Sequence, residues 1–305
     1  MEEIGKFFMD QRKAGKQDKD LLELMAQTEK AGKGMMDDDK ENDDDHPTDE
    51  VIPLSNMEDL TLKIMTKSIH FLTSPSGQLK AQMLQLFTSG TRILAARTDK
   101  LDPLIHQVWP LIMHRLDDPT HYVAYYAAEL VQALTETSGE FISRRFVENV
   151  WPRFEPHLAQ AKQHMTTSST PIYSTYSYPH RLQRCILKTL ILAALHIHMS
   201  QQVALAMAEA TTWLLSRRRV RQELQDLTIQ LYLALYQHHP DALWFHVFSL
   251  METPVIQPPT IPDDLSDSIT LDPMIVPDWM MKKEKDYYTN ARNVMDAMEH
   301  TTISV

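Results

Sequence analysis

The sequence predicts an all-α protein, specifically a HEAT/armadillo-like α-solenoid of antiparallel helix pairs. Three observations carry that expectation. Glycine is scarce, 7 in 305 residues with four of them before residue 35, so the chain has few of the tight turns that hairpins need. From Ser55 onward, apolar residues recur at helical spacing in segments divided by capping and breaking residues. Finally, Val108-Trp109-Pro110 returns as Val150-Trp151-Pro152 after 42 residues, and Leu116 and Leu158 keep the same spacing. A period near that length, with two helices per unit, falls in the HEAT and armadillo range.

Residues 1–54 read as an acidic tail or linker. Positions 1–50 hold 16 acidic and 8 basic side chains, against 25 and 22 in the remaining 255 residues. The run DDDKENDDD at 37–45 repels itself and cannot bury apolar surface, so a solvated spacer is the plainer reading and a strip for a basic partner the sharper one. Within the tail, Leu21 to Met25 is compatible with a short helix.

Helical repeats are expected over 55–253. Ser55 with Glu58 three residues on fits a capping box that opens the first helix, which Ser74-Pro75-Ser76-Gly77 breaks. A second helix is expected over 78–97, with Leu79, Met83, Leu86, Ile93 and Leu94 facing inward. The third should start at Asp102 as cap with Pro103 in the first turn, and end near Leu116. After Asp117-Asp118-Pro119 comes a fourth helix with Val123, Ala127, Leu130, Val131 and Leu134 inside, its alanines permitting close helix approach.

Trp109-Pro110 and Trp151-Pro152 should each lie inside a helix. There the proline removes a backbone donor and bends the axis, and the indole forms an apolar plate between layers. Residues 160–178 form a long Ser/Thr/Tyr-rich loop. A nearly all-apolar stretch over 182–197 then reads as a buried helix. Two further helices come next at 203–215 and 224–236, and a short one begins at Pro240 and contains Trp244 and Phe248. Residues 254–284 read as an extended segment, with six prolines between 254 and 278, and 285–300 as a closing helix. Trp109, Pro110, Trp151, Pro152 and Trp244 are the expected structural core of the repeats.

Catalytic chemistry finds no support in the motifs. HExxH, GxSxG, GxxxxGK[ST] and GxGxxG are all absent. His196 and His198 stand two apart, which on a helix points them to different faces, and His238-His239 reads as a helix terminus. The acidic run does not make a calcium loop, because Asp44 stands where the loop needs glycine and Pro47 intrudes. No cofactor, metal or catalytic residue is therefore expected.

Residues past the tail are nearly neutral, which argues against a nucleic-acid face. The longest apolar stretch is about 15 residues and contains Lys188, short of the roughly 20 that a membrane span needs. Glu2 and Glu3, with no apolar run after them, predict no secretory signal, and the single cysteine, Cys185, favours a reducing compartment. A cytoplasmic location is expected, with the nucleus as a second one. Arg217, Arg218, Arg219 and Arg221, and separately Arg144 and Arg145, are either solvated turns or docking points for an acidic partner.

Several motifs together resemble one family. Leu104 to Pro110 is similar to a repeat opening of the form LxHQxWP. Gly139-Glu140-Phe141, Arg144-Arg145-Phe146 and Trp151-Pro152 resemble its continuation, and His239 to Trp244 resembles an NPDavW motif. Pro254-Val255 with Pro258-Pro259 resembles the family's proline-rich passage, and Tyr288-Thr289-Asn290 resembles its terminus. The family is the Tel-two-interacting protein one family, the large HEAT-repeat subunit of the triple-T (TTT) co-chaperone complex. The resemblance covers residues 57–300 and leaves 1–50 unmatched. It implies a non-enzymatic scaffold that binds the two smaller TTT subunits. Through them it would support maturation of phosphatidylinositol-3-kinase-related kinases with the heat-shock chaperone machinery. It also implies that this chain corresponds to a C-terminal portion. The competing expectation is another α-solenoid adaptor, such as a transport-receptor or phosphatase-scaffold fragment.

Overall fold

The computed structural model describes residues 53–167, 175–217, 219–251 and 287–303. The expectations for the acidic tail and the proline-rich segment lie outside them. Among the described residues the secondary structure is helical, with no strand. The chain divides into two compact units, one reaching Phe154 and adding Thr175–Ile197, the other formed by Glu155–Ser174 and the residues from His198 on.

The first unit opens with α1, Asn56–Ser68. Ser55 Oγ accepts from the Glu58 amide at 3.3 Å and Glu58 Oε2 accepts from the Ser55 amide at 2.7 Å, the capping box that the sequence predicts. A 3₁₀ turn at Ile69–Thr73 leads to α2, Gly77–Ile93. Helix α3 spans Thr98–Leu116 and α4 spans His121–Thr137. Helix α5, Gly139–Arg145, runs through a π-helical segment at Phe146–Val150 into α6, Trp151–Thr167, of which the residues from Glu155 on belong to the second unit. Helix α7 is Tyr178–His196.

Helix α4 lies in the middle of a row α2–α4–α7, with α3 and α5 also against it, while α1 packs on α2 and α3. This explains its burial on nearly every side: Val123, Ala124, Ala127, Ala128, Leu130, Val131, Ala133 and Leu134 are all enclosed. The alanines matter because a helix crossed by several neighbours needs short side chains where the backbones come closest. Gly90 on α2 serves the same end, since a Cβ there would collide with the Met65 side chain of α1.

Three expectations change here, the first being the loop over 160–178: α6 runs on to Thr167, so residues 160–167 are helical. The buried face of α2 is Ala81, Leu84, Phe87, Thr88, Gly90 and Thr91 with Leu94 beyond it, so of the inward residues expected only Leu94 is enclosed, and Ile93 is exposed. The expected stripe has the wrong phase: the enclosed side of the helix is the one that carries Leu84 and Phe87 together with the small residues Ala81 and Gly90. Helix α3 begins at Thr98 rather than at Asp102, so Pro103 sits in its second turn. The Arg97 carbonyl already accepts from the Leu101 amide at 3.0 Å, which starts the helix early.

The second unit contains α8, Gln201–Thr211, running into a 3₁₀ turn at Thr212–Leu215. It continues with α9, Gln222–His238, α10, Pro240–Met251, and α11, Tyr288–Ile303. These helices pack mutually, with α9 against α8, α10 and α11. Tyr232 is fully buried, and its hydroxyl donates to the Ala208 carbonyl at 2.7 Å. Thr212 Oγ1 lies 3.0 Å and His246 Nε2 3.3 Å from that hydroxyl, which fastens α10 to α8 and α9. Burial holds the His246 pKa below the usual imidazole value, favouring a neutral ring that joins this network.

Candidate partner-binding surfaces

The two Trp-Pro elements occupy different kinds of helix. Pro110 sits within α3, whereas Pro152 comes directly after the π segment, where the Trp151 amide reaches back to the Phe146 carbonyl. A proline cannot donate to the turn before it, and a π turn is one way a helix absorbs that loss.

Both indoles, Trp109 and Trp151, are buried. Trp109 meets Phe141 edge to face at 6.5 Å, and its Nε1 donates to Asn149 Oδ1 at 3.1 Å, so the indole of one repeat is held by the π segment of the next. Arg145 closes the arrangement. Its guanidinium lies 3.8 Å from the Phe141 ring centre and 5.9 Å from that of Trp109, and its Nη2 is 2.8 Å from His106 Nδ1. Arg145 is thus engaged between α3 and α5. Arg144 next to it is exposed, with Glu148 Oε1 at 2.7 Å as an i,i+4 partner.

The paired acids after α3 form two clamps that the sequence shows only as punctuation between helices. Asp118 Oδ2 accepts from Lys80 Nζ at 2.7 Å and from Arg115 Nη1 at 3.2 Å, and Oδ1 accepts from the Thr120 amide at 3.0 Å. Burial opposes its charge, yet the bonds from Lys80 and Thr120 outweigh that and hold its pKa below the usual carboxylate value. Asp117 Oδ2 takes the Arg153 Nε at 3.1 Å, and Arg153 Nη1 donates to the Asn149 carbonyl at 2.7 Å. Arg153 and Lys80 lie 36 and 38 residues away, so no local signal reveals that they join these acids.

In the second unit the basic turn is held from beneath. Val220 is buried, and its carbonyl accepts from Gln225 Nε2 at 2.7 Å. The Asn290 amide on α11 donates to the Leu215 carbonyl at 2.8 Å and to Gln225 Oε1 at 2.6 Å, all within a buried setting. Arg217 and Arg219 point outward from this fixed turn, and Arg221 is half-buried at the start of α9. Arg218 lies outside the described residues. The structure therefore brings Arg217 and Arg219 together on an exposed turn and separates Arg144 from Arg145. The family resemblance singles out Asn290, but its anchoring of the turn spans 75 residues and has no local sequence signal.

Trp244, expected in the repeat core with the other two indoles, is half-buried. It stacks on Phe248 at 5.1 Å and meets Phe245 edge to face at 5.5 Å; Phe245 is 67% exposed. Phe248 also lines an open groove of about 400 Å³ with Met251 and α11 residues including Tyr288, Arg292 and Met295. Aromatic clusters of this kind, part exposed and preorganised by stacking, are enriched in protein–protein contacts.

Nothing in the described residues groups three or more His, Cys, Asp or Glu for a metal ion, and no described helix is long and apolar enough to cross a membrane. Burial pushes the Cys185 thiol up to about 12, away from nucleophilic use, and its Sγ is 3.5 Å from Gln132 Oε1.

Comparison with known proteins gives these surfaces a setting. The chain is 24% identical over 206 residues to the human protein named TELO2-interacting protein 1 homolog, covering 68% of this chain and 19% of that protein. The mouse protein of the same name is 23% identical over 198 residues, covering 65% of this chain and 18% of its own length. The chain thus spans about a fifth of the length of these relatives. No solved structure matches it. A family model described as the TTI1 C-terminal TPR domain matches residues 1–244, four-fifths of the sequence and including the acidic stretch, and the chain belongs to that family.

Proposed function

We propose that the chain is a non-enzymatic scaffold that binds the two smaller subunits of a TTT complex. In that role it would support maturation and stability of phosphatidylinositol-3-kinase-related kinases with the heat-shock chaperone machinery. The family match over residues 1–244 carries this reading. The human and mouse relatives are named for interaction with TELO2, and this chain covers only part of each.

The physical support is the contrast between rigid framework and presented side chains. Stacked helices bury Trp109, Trp151 and the Asp118 ion cluster, while Arg217, Arg219, Phe245 and Phe248 are exposed. Such a molecule acts by holding partners, with no bond made or broken. Its place of action is the cytoplasm, with the nucleus as a second location.

Co-expression of the intact chain with the two smaller subunits tests the reading. Stable co-purification at low and at physiological salt is expected. A folded chain that captures neither at low salt would overturn it, and capture at low salt alone would reduce the interaction to screened surface charge.

A further inference from the structure

Helix α10 has a light apolar hold on its neighbours. Of its 12 residues only Leu243 and Val247 are enclosed, while Phe245 and Phe248 are exposed. A polar contact adds to that hold. Helix α8 ends in a 3₁₀ turn, where the Thr212 amide bonds to the Glu209 carbonyl and leaves the Ala208 carbonyl to side chains. That carbonyl accepts from the Tyr232 hydroxyl at 2.7 Å and from the Thr212 hydroxyl at 3.0 Å. With both protons spent there, both oxygens face His246 Nε2 as acceptors, each at 3.3 Å. Nε2 therefore carries the hydrogen of the neutral ring, and Nδ1 is the nitrogen that a further proton must take.

We infer that His246 makes α10 an acid-releasable element: the neutral ring ties α10 to α8 and α9, and protonation at Nδ1 lets α10, with Trp244, Phe245 and Phe248, detach before the rest of the fold. The half-buried ring sits between the end of α8 and Tyr232 of α9, where a full charge is poorly solvated. The groups around it do not offset that loss. Glu209 on α8 favours the charged ring, but burial outweighs it and holds the pKa below the ordinary 6.5. Tyr232 on α9 stays neutral, because burial raises its pKa. On α11 the titratable side chains Tyr288, Arg292, Asp296 and Glu299 line the groove beside Phe248 and Met251.

When α10 opens, the ring regains its ordinary pKa and binds a proton that the docked state refuses. Docking is therefore fully present above about pH 6.5 and weakens as pH falls toward the lower docked value. Each pH unit across that window lowers the docking equilibrium by up to about tenfold. Capture of a partner through the α10 face would weaken in the same window; that consequence rests on the partner reading proposed above, whereas the opening of α10 does not.

Hydrogen exchange read by mass spectrometry tests the opening on the intact chain without any partner, at about pH 7.5 and about pH 5.5 with intrinsic rates corrected. Amides over 240–251 should lose protection at the lower pH by about threefold or more, with α3 and α4 unchanged. His246→Gln keeps an N–H toward the two hydroxyls but cannot titrate, and should flatten that difference. Because the variant can loosen α10 at both pH values, the wild-type His246 ring is also titrated by NMR and should take its proton below pH 6.5. Exchange in α10 that ignores pH would overturn the inference. So would a pH dependence that survives in His246→Gln, a ring that titrates at or above 6.5, or an equal loosening of α3 and α4.

Discussion

Trp109 and Trp151 in the first unit and Trp244 in the second differ in what surrounds them, and the difference separates framework from surface. In the first unit Trp109 and Trp151 are enclosed, and Trp109 has its indole N–H satisfied by Asn149. In the second unit Trp244 lies half-open in a stack with Phe248 and beside Phe245. A Trp in a helical repeat therefore has no fixed role. Its role depends on whether neighbouring helices supply an apolar wall, as they also do for the buried Trp213 of the second unit.

Substitutions can break this contrast. The largest effect is expected at Trp109→Ala, about 3–5 kcal/mol, because a large enclosed side chain leaves a cavity and an unpaired Asn149; a denaturant melt that matches wild type would refute its place in the core. Asp118→Ala should cost a similar amount, about 3–5 kcal/mol, since it leaves Lys80 and Arg115 facing each other without their carboxylate. The same group sets a pH dependence. Its folded pKa is depressed, so its contribution is present above the unfolded value near 3.9 and is lost as pH falls through the lower folded value. Wild-type stability should thus drop in acid more steeply than that of the Asp118→Ala variant.

Effects in the second unit should be smaller. Asn290→Ala leaves the Leu215 carbonyl and Gln225 without their donor, for about 1–3 kcal/mol by thermal melt. Trp244→Ala should cost only about 0.5–1.5 kcal/mol, the scale of an aromatic stack, and a loss as large as that at Trp109 would erase the distinction between the units. Smallest in energy is the Cys185 thiol. With its pKa near 12 and its side chain buried, it should resist alkylation at pH 8 in the folded chain and react on denaturation.

How much of this is legible in the sequence depends on the range of the interactions. The Ser55 capping box joins residues three apart and is readable in full. Most helices are readable, because helical periodicity is local, but 160–167 reads as loop and belongs to α6. The buried face of α2 is not. Leu79, Met83 and Leu86 form a plausible apolar stripe, but the enclosed face is the one carrying Leu84 and Phe87 with Ala81, Thr88 and Gly90, and at Gly90 a side chain would collide with Met65. The Asp117 and Asp118 clamps are hidden for another reason: a charged pair before a proline looks like a turn until Lys80 and Arg153 arrive from other helices. Among the candidate binding residues, Arg144 and Arg145 are adjacent in sequence but one turns outward and the other packs on Phe141 and Trp109. Such a split depends on helix phase relative to a partner that the sequence does not name.

The central claim is that this fixed framework presents side chains for partners. It is tested most directly by measuring capture of the two smaller TTT subunits by the intact chain and by Arg217→Glu/Arg219→Glu at physiological salt. The account predicts that the wild type binds, and that the double variant loses at least about tenfold in affinity, about 1.4 kcal/mol, with its melt unchanged. A folded wild-type chain that binds neither subunit would contradict it.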